Sequence, residues 1–199
     1  MPRPSVRLLA LGGVIGPVTF VATWAIAGAT TRGYSPVGDA ISDLAALHAP
    51  RRDAMTPAFV TFGVGVIAFG LALRAVGAGP TWISAVATAC FTLAVAATPL
   101  GGPTRDVVHG VFASLGYVTL VGVPLLAARP LARADHPGWA RYAIVTAIIA
   151  GASLLASAVG PAHGLWQRIG LTTGDAWIVA MAVQLAFAAS PFEQREASN

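Results

Sequence analysis

Six apolar stretches, each close to 20 residues long, follow one another along this chain at about 8–29, 54–75, 81–100, 107–128, 139–159 and 174–190. A helix crossing the hydrocarbon core of a bilayer needs roughly 20 such residues. Backbone groups inside lipid find no water to bond, so a chain built of such stretches is driven to helices that satisfy their own backbone. Only 10% of the 199 residues are charged and 56% are hydrophobic, where soluble domains carry about 25% charged residues. The runs are rich in Ala, Val, Leu and Gly, and none alternates with a period of two, as the strands of a membrane barrel do. The expected fold is all-α: a polytopic transmembrane helical bundle of six spans forming one integral membrane domain over residues 1–199.

The first run follows Arg3 and Arg7 and ends near Ala25-Ile26-Ala27, superficially like a signal-peptide cleavage site. It exceeds the roughly 7–15 residues of a signal core and five spans follow it, so an uncleaved first helix is expected. All twelve basic residues are arginines, a bias that points to a GC-rich bacterial genome. With a cytoplasmic N-terminus, Arg3, Arg7, Arg74, Arg129, Arg133, Arg141 and Arg195 lie inside, and Arg32, Arg51, Arg52, Arg105 and Arg168 outside. The short fourth loop, "ARPLARADHPGWAR", gives this orientation its best support under the positive-inside rule. The expectation is a multi-pass protein of the cell membrane with both termini cytoplasmic. A net charge of +4 fits arginines that anchor span ends against lipid phosphates; no basic run or aromatic platform suggests nucleic acid as a partner.

Against this background the segment "GYSPVGDAISDLAALHAPRRD", residues 33–53, stands out for its three aspartates, histidine and two arginines. Ser35-Pro36 is expected to open a short extracytoplasmic loop helix running through Leu47 and stopped by Pro50, with Asp39 and Asp43 four apart on one face. Other breaks follow backbone chemistry. Thr56-Pro57 reads as an N-cap with proline at the first helical position. Gly101-Gly102-Pro103 reads as a turn, with Thr104 capping span four and Asp106 in its first turn, and Thr173-Gly174-Asp175 reads as the same device before span six. This topology sorts the ionisable groups. Asp39, Asp43, His48, Asp53, Asp106, His109, His163 and Asp175 fall on the side of the odd-numbered loops, while Asp135, His136, Glu193 and Glu196 lie on the other.

Two elements on the crowded side carry chemistry. In "TRDVVHG", residues 104–110, Asp106 and His109 share a helix face, and a histidine one turn into a span is too costly to face lipid. In residues 160–177, glycines bracket an aromatic run containing Arg168, consistent with a partly inserted segment that brings the arginine to the same mouth. The leading functional expectation is a polar pocket of Ser42, Asp43, Asp106, His109, Arg168 and Asp175 under the first loop, binding a lipid headgroup or small amphipathic molecule. The alternatives are a membrane-embedded hydrolase or isomerase and a non-catalytic scaffold. In the enzyme, Asp43 or Asp106 would orient His109 as general base, with Ser42 or Ser114 available as nucleophile. In the scaffold, the acids cap helices and pair with Arg168. A metal site would draw on His109, His163 or His48, but no ligand spacing supports one and Cys90 lies alone in mid-span, so neither metal nor cofactor is expected.

Remaining motifs read as packing or anchoring. Gly12 and Gly16, with Gly63, Gly65 and Gly70, form small-residue faces that let helices approach closely and offer a route to homo-oligomers. Pro124 is tolerated within span four. Trp24, Trp82, Trp139, Trp166 and Trp177 lie mostly near span ends, as an interfacial belt requires. No span places an ionisable residue near mid-membrane, which weighs against a channel or proton-driven transporter.

The order of these elements, "GYSP" closing the first span, "ISDL" in the loop, a lone histidine opening span four and "GLWQR" before the last span, resembles the bacterial membrane-protein family called domain of unknown function 998. The resemblance covers about residues 10–190, and by it Ser42, Asp43, His109 and Arg168 match family motif positions. Members often show "GLWER" where this chain has Gln167. It implies a fold and a membrane location, and no activity. In ingredients alone, Ser42, Asp43, His109 and His163 are similar to the alkaline ceramidase and progestin-receptor-like superfamily, whose paired histidines near the last span this chain lacks.

Overall fold

A computed structural model describes residues 3–192. It is a bundle of six α-helices with one short 3-10 helix, η1: α1 (Pro4–Thr30), η1 (Ile41–Ala45), α2 (Arg52–Ala75), α3 (Thr81–Ala97), α4 (Pro103–Arg133), α5 (Pro137–Val159) and α6 (His163–Phe187). No strand occurs among the described residues. Five of the helices are long and apolar enough to cross a membrane, while α3, with 17 residues, is a shorter apolar helix. The chain is a helical membrane bundle. Glu193, Arg195 and Glu196 lie outside the described residues.

Neighbours in sequence pack side by side from α1 to α6, and α6 closes the bundle against α1. The core contains Phe20, Phe62, Val66, Phe69, Leu120, Trp177, Ile178, Met181 and Leu185, whereas Leu8, Val64, Val118, Ile148 and Phe187 lie exposed on the outer faces. An apolar exterior of this kind is solvated by lipid tails. Because lipid removes most hydrophobic drive between helices, close packing has to hold them. Gly12 and Gly65 are so near that a Cβ on either would stand 2.5 Å from the other's carbonyl oxygen, and Gly16 lies tightly on Phe62. The small-residue faces therefore join α1 to α2 within the chain. Gly63 and Gly70 do the same between α2 and α3, against Leu93 and Val86.

Several element boundaries differ from expectation, each for a local reason. Helix α6 begins at His163, eleven residues before the expected start at 174, so there is no separate inserted segment. Its glycines are contact points, since a Cβ on Gly170 would meet Leu154 at 2.5 Å and one on Gly174 would meet Leu120 at 2.8 Å. Helix α2 begins at Arg52, leaving Pro57 inside its second turn. Thr104 lies inside α4; Gly102 precedes the helix and Pro103 takes its first position. The loop helix shrinks to five residues because Asp39 and Asp43 each bind local backbone, Ser35 N at 2.7 Å and Ala40 N at 2.8 Å, which competes with helix propagation. Trp177 is fully buried in mid-helix and belongs to the core, not to an interfacial belt.

The glycine contacts generate a test. Gly65→Leu should destabilise the detergent-solubilised protein by about 1–3 kcal/mol, the usual cost of overpacking, read as a lowered Tm. Gly138→Leu, at a position with open space around the missing Cβ, should leave Tm nearly unchanged.

Candidate functional site

The α1–α2 loop folds over one end of the bundle, where it meets the α3–α4 turn and the start of α6. Its fastening begins at Arg168, one and a half turns into α6 and buried. The guanidinium donates through Nη1 to the carbonyls of Pro36 at 2.7 Å, Asp39 at 3.0 Å and Gly164 at 2.8 Å, and through Nη2 to the Tyr34 hydroxyl. Its central carbon lies 5.3 Å from the Trp24 ring centroid and 5.5 Å from that of Tyr34. The expected pairing of Arg168 with Asp43 or Asp106 is absent; both carboxylates are committed to backbone N–H groups elsewhere. The Tyr34 hydroxyl in turn donates to Ala40 O at 2.9 Å. Burial raises the Tyr34 phenol above its ordinary pKa, despite the opposing pull of Arg168, so it remains a neutral acceptor at physiological pH. Glycine is required at 164, where a Cβ would collide with the Asp39 carbonyl. There Leu165 N also bonds Val37 O at 3.1 Å.

Three further ties hold η1 and the residues that follow it. Gln167 accepts from Ile41 N at 2.8 Å and donates to the Tyr117 hydroxyl at 2.5 Å. A glutamate in its place would accept from both partners once the Tyr117 proton turned towards it, so the two residues suit the same position. Leu47 N bonds Leu100 O at 2.9 Å. His109, also buried, bridges Ser42 and the α3–α4 turn: Nδ1 lies 2.8 Å from Thr98 O and Nε2 lies 2.9 Å from Ser42 Oγ. A carbonyl only accepts, so a neutral ring must carry its proton on Nδ1 and accept the Ser42 hydroxyl's hydrogen bond on Nε2.

The sequence-derived candidates thus separate into three groups. Asp43 and Asp106 are exposed, Asp106 accepting from Gly101 N at 2.8 Å and Gly102 N at 3.3 Å; neither carboxylate is hydrogen-bonded to His109, which was expected to take one of them as partner. His109 and Arg168 are buried beneath the loop as fasteners. Ser42 and Asp175 line a cavity below η1. His163 lies apart, with Nδ1 2.6 Å from Ser157 O, and no group of three or more His, Cys, Asp or Glu that could hold a metal occurs among the described residues.

The cavity measures about 60 Å³, room for a few waters or a small headgroup. Its wall is mainly aromatic and aliphatic, with Phe20, Phe59 and Phe62 on one side and Phe91, Phe112 and Tyr117 on the other. Phe91 and Phe112 stack at 6.5 Å between α3 and α4 and are only half-buried, so the cavity wall there is also part of the outer face of the bundle. Gln167, Leu171 and Asp175, spaced by four on one face of α6, form the inner wall. Asp175 was expected at a helix start. It is instead the thirteenth of the 25 residues of α6, 3% exposed, with neither carboxylate oxygen bonded. A span does therefore carry an ionisable residue near its middle, and the sequence-level case against channels and transporters loses its premise.

Fold and site together define a multi-pass helical membrane protein with a polar loop fastened over an intramembrane cavity. Residues 14–184 match the family described as "Protein of unknown function (DUF998)", and the chain belongs to that family. No significant match is found among curated proteins or among solved structures.

Replacing Arg168 should release the loop. Hydrogen bonds from a charged donor contribute about 1.5–3 kcal/mol each, and lysine cannot reproduce the planar fork. Arg168→Lys should raise amide hydrogen exchange over residues 34–47 by at least about tenfold, with exchange in α5 unchanged, as read by mass spectrometry.

Proposed function

We propose that this protein binds a small amphipathic molecule in the cavity beneath η1, holding its polar head inside while the apolar part leaves along the α3–α4 seam towards lipid. The observation that carries this reading is Asp175, a buried carboxylate in the cavity wall with neither oxygen bonded. Leaving a buried polar group unpaired costs several kcal/mol, and such groups inside membrane spans mark ligand and ion sites. The aromatic wall and the half-buried seam supply the apolar surface that the rest of an amphiphile needs. On the arginine distribution, the loop end faces the extracytoplasmic side of the cell membrane.

The test uses three six-carbon probes, hexylamine, 1-hexanol and hexanoate, with protein in nanodiscs and equilibrium binding as the readout. At least one should bind saturably to the wild type, and Ala113→Phe, which enlarges a side chain of the cavity wall, should weaken that binding by about tenfold, the equivalent of roughly 1.4 kcal/mol. Absence of saturable binding by any of the three would overturn the proposal.

A second reading rests on a separate observation, the 2.9 Å contact between Ser42 Oγ and His109 Nε2 with Nδ1 held by a carbonyl. This is the arrangement of a serine activated by an adjacent base, and Ser42 borders the cavity. In a hydrolase, Ser42 would attack an ester carbonyl and His109 would take the hydroxyl proton, pass it to the leaving alcohol and activate water to release the acid. A fluorophosphonate probe should then label Ser42 in the wild type and not in His109→Ala. Absence of labelling in folded wild-type protein would leave the pair a purely structural tie between η1 and α4.

A further inference from the structure

The polar groups around the cavity differ in whether their hydrogen-bonding capacity is already used. The Ser42 hydroxyl is engaged with His109. Both ends of the Gln167 amide are taken, by Ile41 N and Tyr117. Thr88 and Thr92 each donate to the carbonyl four residues earlier, Ser84 O and Thr88 O, at 2.9 Å. Asp175 alone among them offers two oxygens with no hydrogen-bond partner, and no cationic side chain among the described residues pairs with it. As a carboxylate it lacks a counter-charge; as an acid it lacks an acceptor for its proton. The surrounding rings sharpen the imbalance. Phe20, Phe59 and Phe62 line the cavity and pack on one another, with Phe20 at 4.9 and 5.4 Å between centroids from the other two, and the negative face of such a ring attracts a cation.

Resting on the reading of this cavity as a ligand site, we infer that its ligand is an organic cation, an amine whose ammonium group sits against Asp175 among the aromatic rings. The geometry disfavours a hydrated metal ion. Calcium takes six to eight oxygen ligands and magnesium six, whereas most residues in this wall are apolar. An ammonium group needs fewer partners: one N–H donates to each Asp175 oxygen, the ring faces receive the remaining charge, and the substituents face Leu120, Leu171 and Phe112. The carboxylate thus acts as a selector of head charge, and the aromatic wall is permissive about the carbon skeleton.

The same nanodisc measurement separates this inference from the one beneath it. Hexylamine should bind at least about tenfold more tightly than 1-hexanol of the same chain length, with hexanoate weakest. Asp175→Asn should remove most of the amine's advantage while leaving hexanol binding within about twofold, because the amide conserves shape and loses charge. Equal binding of amine and alcohol, or tighter binding of hexanoate, would overturn the cation assignment and leave the cavity a ligand site. Loss of all saturable binding would remove both. Should Asp175→Asn fail to fold, the wild-type ratio of amine to alcohol decides alone, since it requires no variant.

Discussion

A guanidinium buried beneath a membrane-protein loop, with no carboxylate in an ion pair with it among the described residues, is the interaction on which the rest of this structure depends. Residues 31–40 are not helical, so the carbonyls that local bonds do not reach need partners from outside the segment. Arg168 supplies them from α6, binding two loop carbonyls and a tyrosine hydroxyl at once. Arginine alone fits here, since its fork reaches several acceptors in one plane and its face stacks on Trp24 and Tyr34, which disperses the charge without a counter-ion. Dipoles and rings stand in for the ion pair that composition alone suggests.

From that anchor the rest of the site follows along one helix. Gln167, the neighbour of Arg168, fastens η1 directly, and the next residues on its face, Leu171 and Asp175, descend into the cavity that η1 roofs. The inner wall and the main fastening of the roof therefore belong to one rigid element. His109 secures the opposite edge of the roof through Ser42 and, with its other nitrogen, holds the end of α3. Each of its ring nitrogens thus has a structural partner whether or not the Ser42 contact also serves chemistry.

Much of the fold was legible because hydropathy over 20-residue windows is a strong signal in membrane proteins, and five of the six helices were placed to within about six residues at each end. The start of α6 was not. Gly164, Arg168, Gly170, Gly174 and Asp175 look like loop residues when read locally, and only the close passage of Leu154, Leu120 and the Asp39 carbonyl shows why helix is kept there. The same displacement hid Asp175, whose position after Thr173 and Gly174 imitates a cap; its burial is decided by helices distant in sequence. His109 was recognisable as inward-facing, yet its partners were not, because no spacing rule links positions 42, 98 and 109. Asp43 and Asp106, expected to orient His109, instead accept hydrogen bonds from backbone N–H groups within five residues of themselves.

The unequal lengths of adjacent helices carry a consequence for the surrounding membrane. At a rise of 1.5 Å per residue, the 17 residues of α3 reach only about 25 Å, short of a hydrocarbon core of about 30 Å, while α4, with 31 residues, overshoots it. Lipid on the α3 flank must compress or tilt to meet the shorter helix. The bilayer is then thinnest along the α3 flank, so headgroups ride closest to the bundle on the side where Phe91 of α3 forms part of the cavity wall.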